Sequence, residues 1–63
     1  MKILIQVTDT EAKQPDVMAF HLPNSVSPEG RLSRTARDAV EHATDYAVRH
    51  PGTAQVTITC QRG

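Results

Sequence analysis

Residues 32–61, LSRTARDAVEHATDYAVRHPGTAQVTITCQ, change their hydrophobic period at Pro51-Gly52, and that change decides the fold. Before it, Leu32, Ala36, Ala39, Val40, Ala43 and Ala47 recur every three or four residues, with Tyr46 and His50 bordering the stripe, which is the pattern of one helix face. After it, Ala54, Val56, Ile58 and Cys60 alternate with Gln55, Thr57, Thr59 and Gln61, as in a strand with one buried side. Proline cannot continue a helix and glycine accepts the left-handed backbone that ends one, so the break is sharp. Most of the stripe is alanine, which lets the helix lie close to a sheet.

Upstream, Ser27 reads as an N-cap, Pro28 as the first helical residue and Glu29 as a first-turn acid, so the spacing predicts a helix over about 28–50. Gly30 lowers helix propensity there and leaves open a regular helix that begins only near Leu32 or Ser33. Further back, Val17–Leu22 alternates, with Met18, Phe20 and Leu22 as the heavier, inward set. The first strand, about 2–8, puts Ile3, Ile5 and Val7 on one face and Leu4 on the other. Between the two lies Asp9–Asp16, an acidic loop of net charge −2, read as mobile, which is too short for a crossover helix and so implies antiparallel pairing.

The order is ββαβ: an α+β fold, with a three-stranded, mainly antiparallel sheet and one helix packed on one face. The third strand, about 53–61, buries the central apolar residues best at an edge beside the first. The other sheet face is polar apart from Leu4, Val17 and Ala19, a small apolar spot if Leu4 and Val17 are neighbours. Residues 1–63 make a single small domain, since two domains do not fit this length. The core is thin: 24 residues are apolar, seven of them alanine, and Cys60 is the one cysteine, so no internal disulfide reinforces it. Self-association as a homodimer is one expected remedy.

Zero formal charge argues against bulk capture of nucleic acid or anionic membrane. Met1–Val7 is too short an apolar run for a signal peptide, and no run reaches membrane-spanning length, so the expectation is a cytoplasmic protein with no membrane partner. Metal-ligand spacing is missing, because His42 and His50 stand about 80° apart around a helix and no CxxC, HxxxH or HExxH occurs. His42 is expected to face water and His50 to sit at the helix C-terminus. Cys60 is expected inward as a small hydrophobe, and a Cys60–His21 catalytic pair requires both on one face. Three dispersed glycines form no phosphate loop. No catalytic residue, metal or cofactor is therefore expected, and enzyme is the least favoured class.

The candidate site is a set of arginines, Arg31, Arg34, Arg37 and Arg49. Three crowd the helix start, against the macrodipole, which favours acids there. Guanidinium groups kept in that position suit carboxylates on a protein partner or phosphates. The competing reading is a solvated ladder in which Arg34–Asp38, Arg37–Glu41 and Asp45–Arg49 neutralise one another. The function expected is a small non-catalytic binding protein that docks on and modulates a larger protein or complex. Arginine outnumbers lysine five to two, which suggests a bacterial or phage coding background. By analogy of size and fold alone, an accessory protein of a mobile element that inhibits host machinery fits this description. The alternative is a nucleic-acid-contacting accessory protein that uses the same arginines on phosphates.

Overall fold

The computed structural model describes residues 1–24, 26–27 and 29–62. Four elements follow one another: β1 (Lys2–Asp9), β2 (Asp16–Leu22), α1 (Arg34–Arg49) and β3 (Ala54–Gln61). The sheet order is β2-β1-β3, and both pairings are antiparallel, which gives the ββαβ α+β architecture and places β3 at the edge beside β1. β1 is central because it carries the heaviest β-branched face, and Ile3, Ile5 and Val7 are buried there.

Register sets the two faces. Ile3, Ile5 and Val7 stand opposite Leu22, Phe20 and Met18 on β2 and opposite Cys60, Ile58 and Val56 on β3, so one side of the sheet carries every one of these apolar residues. The opposite face carries Leu4, Gln6, Ala19, His21, Gln55, Thr57 and Thr59. Between Val7 and Thr8 the β2 register slips by one, because Thr8 pairs with Asp16 and leaves Val17 as the extra residue. Val17 consequently packs against the core, which corrects its assignment to the open face. Leu4 lies opposite His21, four residues from Val17, so the expected Leu4–Val17 spot does not form.

α1 buries Ala36, Ala39 and Ala43 against β1, and with Ile3, Ile5 and Val7 these make up the buried apolar core. The expected start at residue 28 is corrected. Ser33 is the N-cap, with φ −65° and ψ 161°, and its hydroxyl accepts the Ala36 N–H at 3.1 Å. The physical reason is Gly30, whose φ of +81° no right-handed helix contains. Around it, Ser27 N–H donates to the Arg31 carbonyl at 2.8 Å, Arg31 N–H reaches Ser27 Oγ at 3.2 Å, and Val26 bridges Leu32. Ser27 therefore closes a tight antiparallel turn and caps no helix. Pro28, expected as the first helical residue, lies outside the described residues. Leu32 precedes the helix and is 39% exposed, so it drops out of the core stripe. At the other end His50 is the C-cap and Gly52 turns the chain with φ +85°.

Two further corrections concern the sheet ends. Asp9 and Asp16 belong to β1 and β2, which leaves a shorter loop held by Asp9 N–H to the Pro15 carbonyl at 2.9 Å and Ala12 N–H to the Asp9 carbonyl at 3.3 Å. Ile58 and Cys60 lie on the helix side as expected, yet Ile58 is 51% exposed and Cys60 is also exposed. Val56, near the start of β3, packs against the core, whereas Ile58 and Cys60 in the later half of the strand stay open.

Candidate functional site

The four arginines do not form one row. Arg34 is the first residue of α1 and Arg37 stands three positions on, so the two occupy neighbouring positions on the outer side, away from the alanine stripe. Arg31 lies before the helix in the Ser27–Arg31 turn, which corrects its place as a helical residue while keeping it at the same end of the molecule. Arg49 ends the helix, about 22 Å along the axis from Arg34. It is tied to Asp45 at 2.8 Å, so it belongs to a separate, neutralised pair. That is the one ion pair of the expected ladder that forms among the described residues. Arg31, Arg34 and Arg37 are all exposed, and the first turn holds no acid. Three guanidinium groups thus gather at the positive end of a helix dipole with no carboxylate partner among the described residues.

Beside Arg37 runs a shallow groove of about 480 Å³, lined also by Leu32, Val40, Thr44 and Val48 and by the acids Glu41 and Asp45. Val40, Thr44 and Val48 recur every fourth residue, a second apolar stripe that winds away from the core. Val48 is 71% exposed. The groove was not anticipated from sequence, although the i, i+4, i+8 spacing was its signal. Val40 was counted only as core, and Val48 fell outside the main stripe.

A second cluster escaped sequence reasoning altogether. Asp9 is buried at the end of β1, where Oδ2 accepts the Tyr46 hydroxyl at 2.7 Å and Oδ1 accepts the Glu11 N–H at 2.9 Å. The Tyr46 bond first, and the Glu11 N–H second, hold the Asp9 carboxyl below its usual range despite desolvation. The same bond to Asp9 raises the Tyr46 phenol. Tyr46 also stacks on His50, with ring centroids 4.1 Å apart, and His50 Nδ1 lies 2.9 Å from the Tyr46 carbonyl. A carbonyl can only accept, so Nδ1 carries the proton there. The His50 carbonyl in turn receives the Thr53 and Ala54 N–H groups at 3.4 and 3.1 Å.

The cluster acts as a clasp that ties the end of α1 to the end of β1 and to the start of β3. His21 and Cys60 lie on opposite faces of the sheet with β1 between them, so the pair considered from sequence is not assembled. His42 is exposed, as expected, and lines a polar hollow with Asp38, Glu41 and Asp45 on the outer side of α1. Among the described residues, no helix is long and apolar enough to cross a membrane. Comparison with protein-family models, with curated proteins and with solved structures returned no match.

Proposed function

We propose that this chain is a small, non-catalytic binding protein that docks on a larger protein or complex and modulates it, using the outer side of α1. The observation that carries the proposal is the open apolar groove along Val40, Thr44 and Val48 with Arg37 in its lining and Arg34 three residues before it on the helix, neither in an ion pair among the described residues. Apolar side chains in a groove supply affinity, and the exposed Arg37 guanidinium in its lining, with Arg34 on the preceding turn, suits a partner bearing carboxylates. A purely solvated ladder would have used all three i,i+4 pairs, and only Asp45–Arg49 forms among the described residues. A bacterial or phage accessory protein that inhibits host machinery remains the biological setting that composition and size suggest.

The test is affinity capture from the native cell with the unmodified chain and with an Arg34→Glu/Arg37→Glu double variant. Both residues are exposed, so circular dichroism should show the fold retained. The captured partner should be lost with the variant, and undiminished capture removes the helix face from consideration. The same arginines sit where phosphates also bind, at a helix N-terminus, which sustains the nucleic-acid alternative. That alternative requires measurable binding of DNA or RNA at low salt, falling steeply as salt rises.

A further inference from the structure

We infer that the outer edge of β3 is a homodimer interface on which β3 of a second copy adds antiparallel, joining two three-stranded sheets into one of six. The proposal concerns a different surface from the arginine face and does not depend on it.

The backbone fixes which groups are on offer. Thr10 N–H donates to the Thr53 carbonyl at 3.2 Å, and the β1–β3 register runs unbroken from Lys2 opposite Gln61 to Asp9 opposite Ala54. Alternation along that ladder turns the N–H and C=O groups of Gln55, Thr57 and Thr59 toward β1 and those of Val56, Ile58 and Cys60 away from it. The N–H of Ala54 is already taken by the His50 carbonyl at 3.1 Å, so the free edge begins at Val56.

The two sheet edges differ in how they are protected. β2 is preceded by Pro15, opens on Asp16 and is distorted by the bulge at Val17, devices that discourage edge-to-edge pairing. β3, AQVTITCQ, has no charge, no proline and no bulge. Its inner-face residues Ile58 and Cys60 are exposed beyond the reach of α1, although they sit beside the buried Ile5 and Ile3. An uncharged strand meets its own copy with no like-charge cost, and a two-fold axis makes the contact self-complementary.

Size points the same way. The chain exposes 4880 Å², against about 4,000 Å² for a compact monomer of 6.9 kDa. The radius of gyration, 12.4 Å, likewise exceeds the roughly 10.6 Å of a compact chain of this length. A two-fold axis through Thr57 pairs Val56 with Ile58 of the second copy, which uses the N–H and C=O groups of both, brings the Cys60 N–H to the Ala54 carbonyl, and keeps apolar residues on one face.

Sedimentation across the micromolar range should give twice the 6.9 kDa chain mass for the unmodified protein. Ile58→Lys should give the single mass with the circular dichroism unchanged, because the side chain is half exposed in the free chain. Ala19→Lys, exposed on the opposite face, should leave the double mass in place. In a Cys60→Ser background, Thr57→Cys should oxidise to a disulfide-linked dimer, since directly opposed residues at that axis stand about 4.5 Å apart at Cα. A monomer from the unmodified chain, a dimer that survives Ile58→Lys, or one broken by Ala19→Lys overturns the interface. A dimer in which Thr57→Cys fails to cross-link overturns the axis.

Discussion

Replacing Ser33 by alanine tests where the helix begins. The Ser33 hydroxyl accepts the Ala36 N–H at 3.1 Å, and alanine leaves that donor without its partner. Loss of an N-cap side chain costs about 1 kcal/mol, within a range of roughly 0.5–2 kcal/mol. In a domain of this size 1 kcal/mol lowers the melting temperature by roughly 4–8 °C. Ser27→Ala removes a hydroxyl that accepts the Arg31 N–H at 3.2 Å in an exposed turn, and its effect should stay within about 0.5 kcal/mol. Ser33→Asp keeps a capping oxygen and adds a negative charge to a first turn that has no acid, so it should hold the melting temperature at or above that of the unmodified protein. Thermal denaturation followed by circular dichroism reads all three. If Ser27→Ala proves the more costly change, or if the two alanine variants cannot be told apart, the assignment of the helix start is wrong.

Ile5→Ala empties the centre of the buried face between Phe20 and Ile58, and the expected loss of about 2–5 kcal/mol should leave the chain largely unfolded at 37 °C, as urea titration would show. Gly52→Ala should cost about 1–2 kcal/mol through its φ of +85° alone, because an added Cβ there meets nothing within 4 Å; an unchanged melting temperature would refute that backbone geometry. Asp9 has its folded pKa depressed, so its contribution is complete above the unfolded value of about 3.9 and is lost as pH falls through the lower folded value. Tyr46→Phe should therefore melt earlier at neutral pH and lose less stability than the unmodified chain between about pH 5 and pH 2; parallel acid profiles would count against the clasp. Asp45→Asn breaks an ion pair whose side chains are 71% and 55% exposed, and its effect should remain below about 1 kcal/mol.

Most of the fold was legible because one chemical pattern controlled each element. The alternation in β1 and β3, the alanine stripe and the Pro51-Gly52 stop each admit one local structure, and the short link between the strands admits one pairing. The helix start was ambiguous because Ser27 and Ser33 are both good caps, and the deciding quantity, the backbone angle at Gly30, is not a property of residue type. Asp9 was misplaced for a related reason. An aspartate at the head of a polar segment ordinarily marks a loop, and its partner Tyr46 stands 37 residues away. The available clue was Tyr46 itself, since a half-buried phenol needs an acceptor. Ile58 and Cys60 show that periodicity assigns a face and says nothing of whether anything covers it. The arginines were legible as residues at the helix start, whereas their division into an unpaired group and a neutralised Arg49 required the Asp45 contact.

The central position of β1 has a consequence for how the polypeptide comes off the ribosome. Of the four elements, β1 is translated ahead of the others and completes its pairing only with β3, the fourth, and the two-stranded hairpin available in between is marginal in water on its own. At about 5–20 residues per second, Ile3, Ile5 and Val7 wait for seconds before Ala54–Gln61 exists to flank them. Acquisition of the native state must therefore follow translation of the fourth element, and a nascent chain stalled before residue 54 should be as sensitive to protease as an unstructured one.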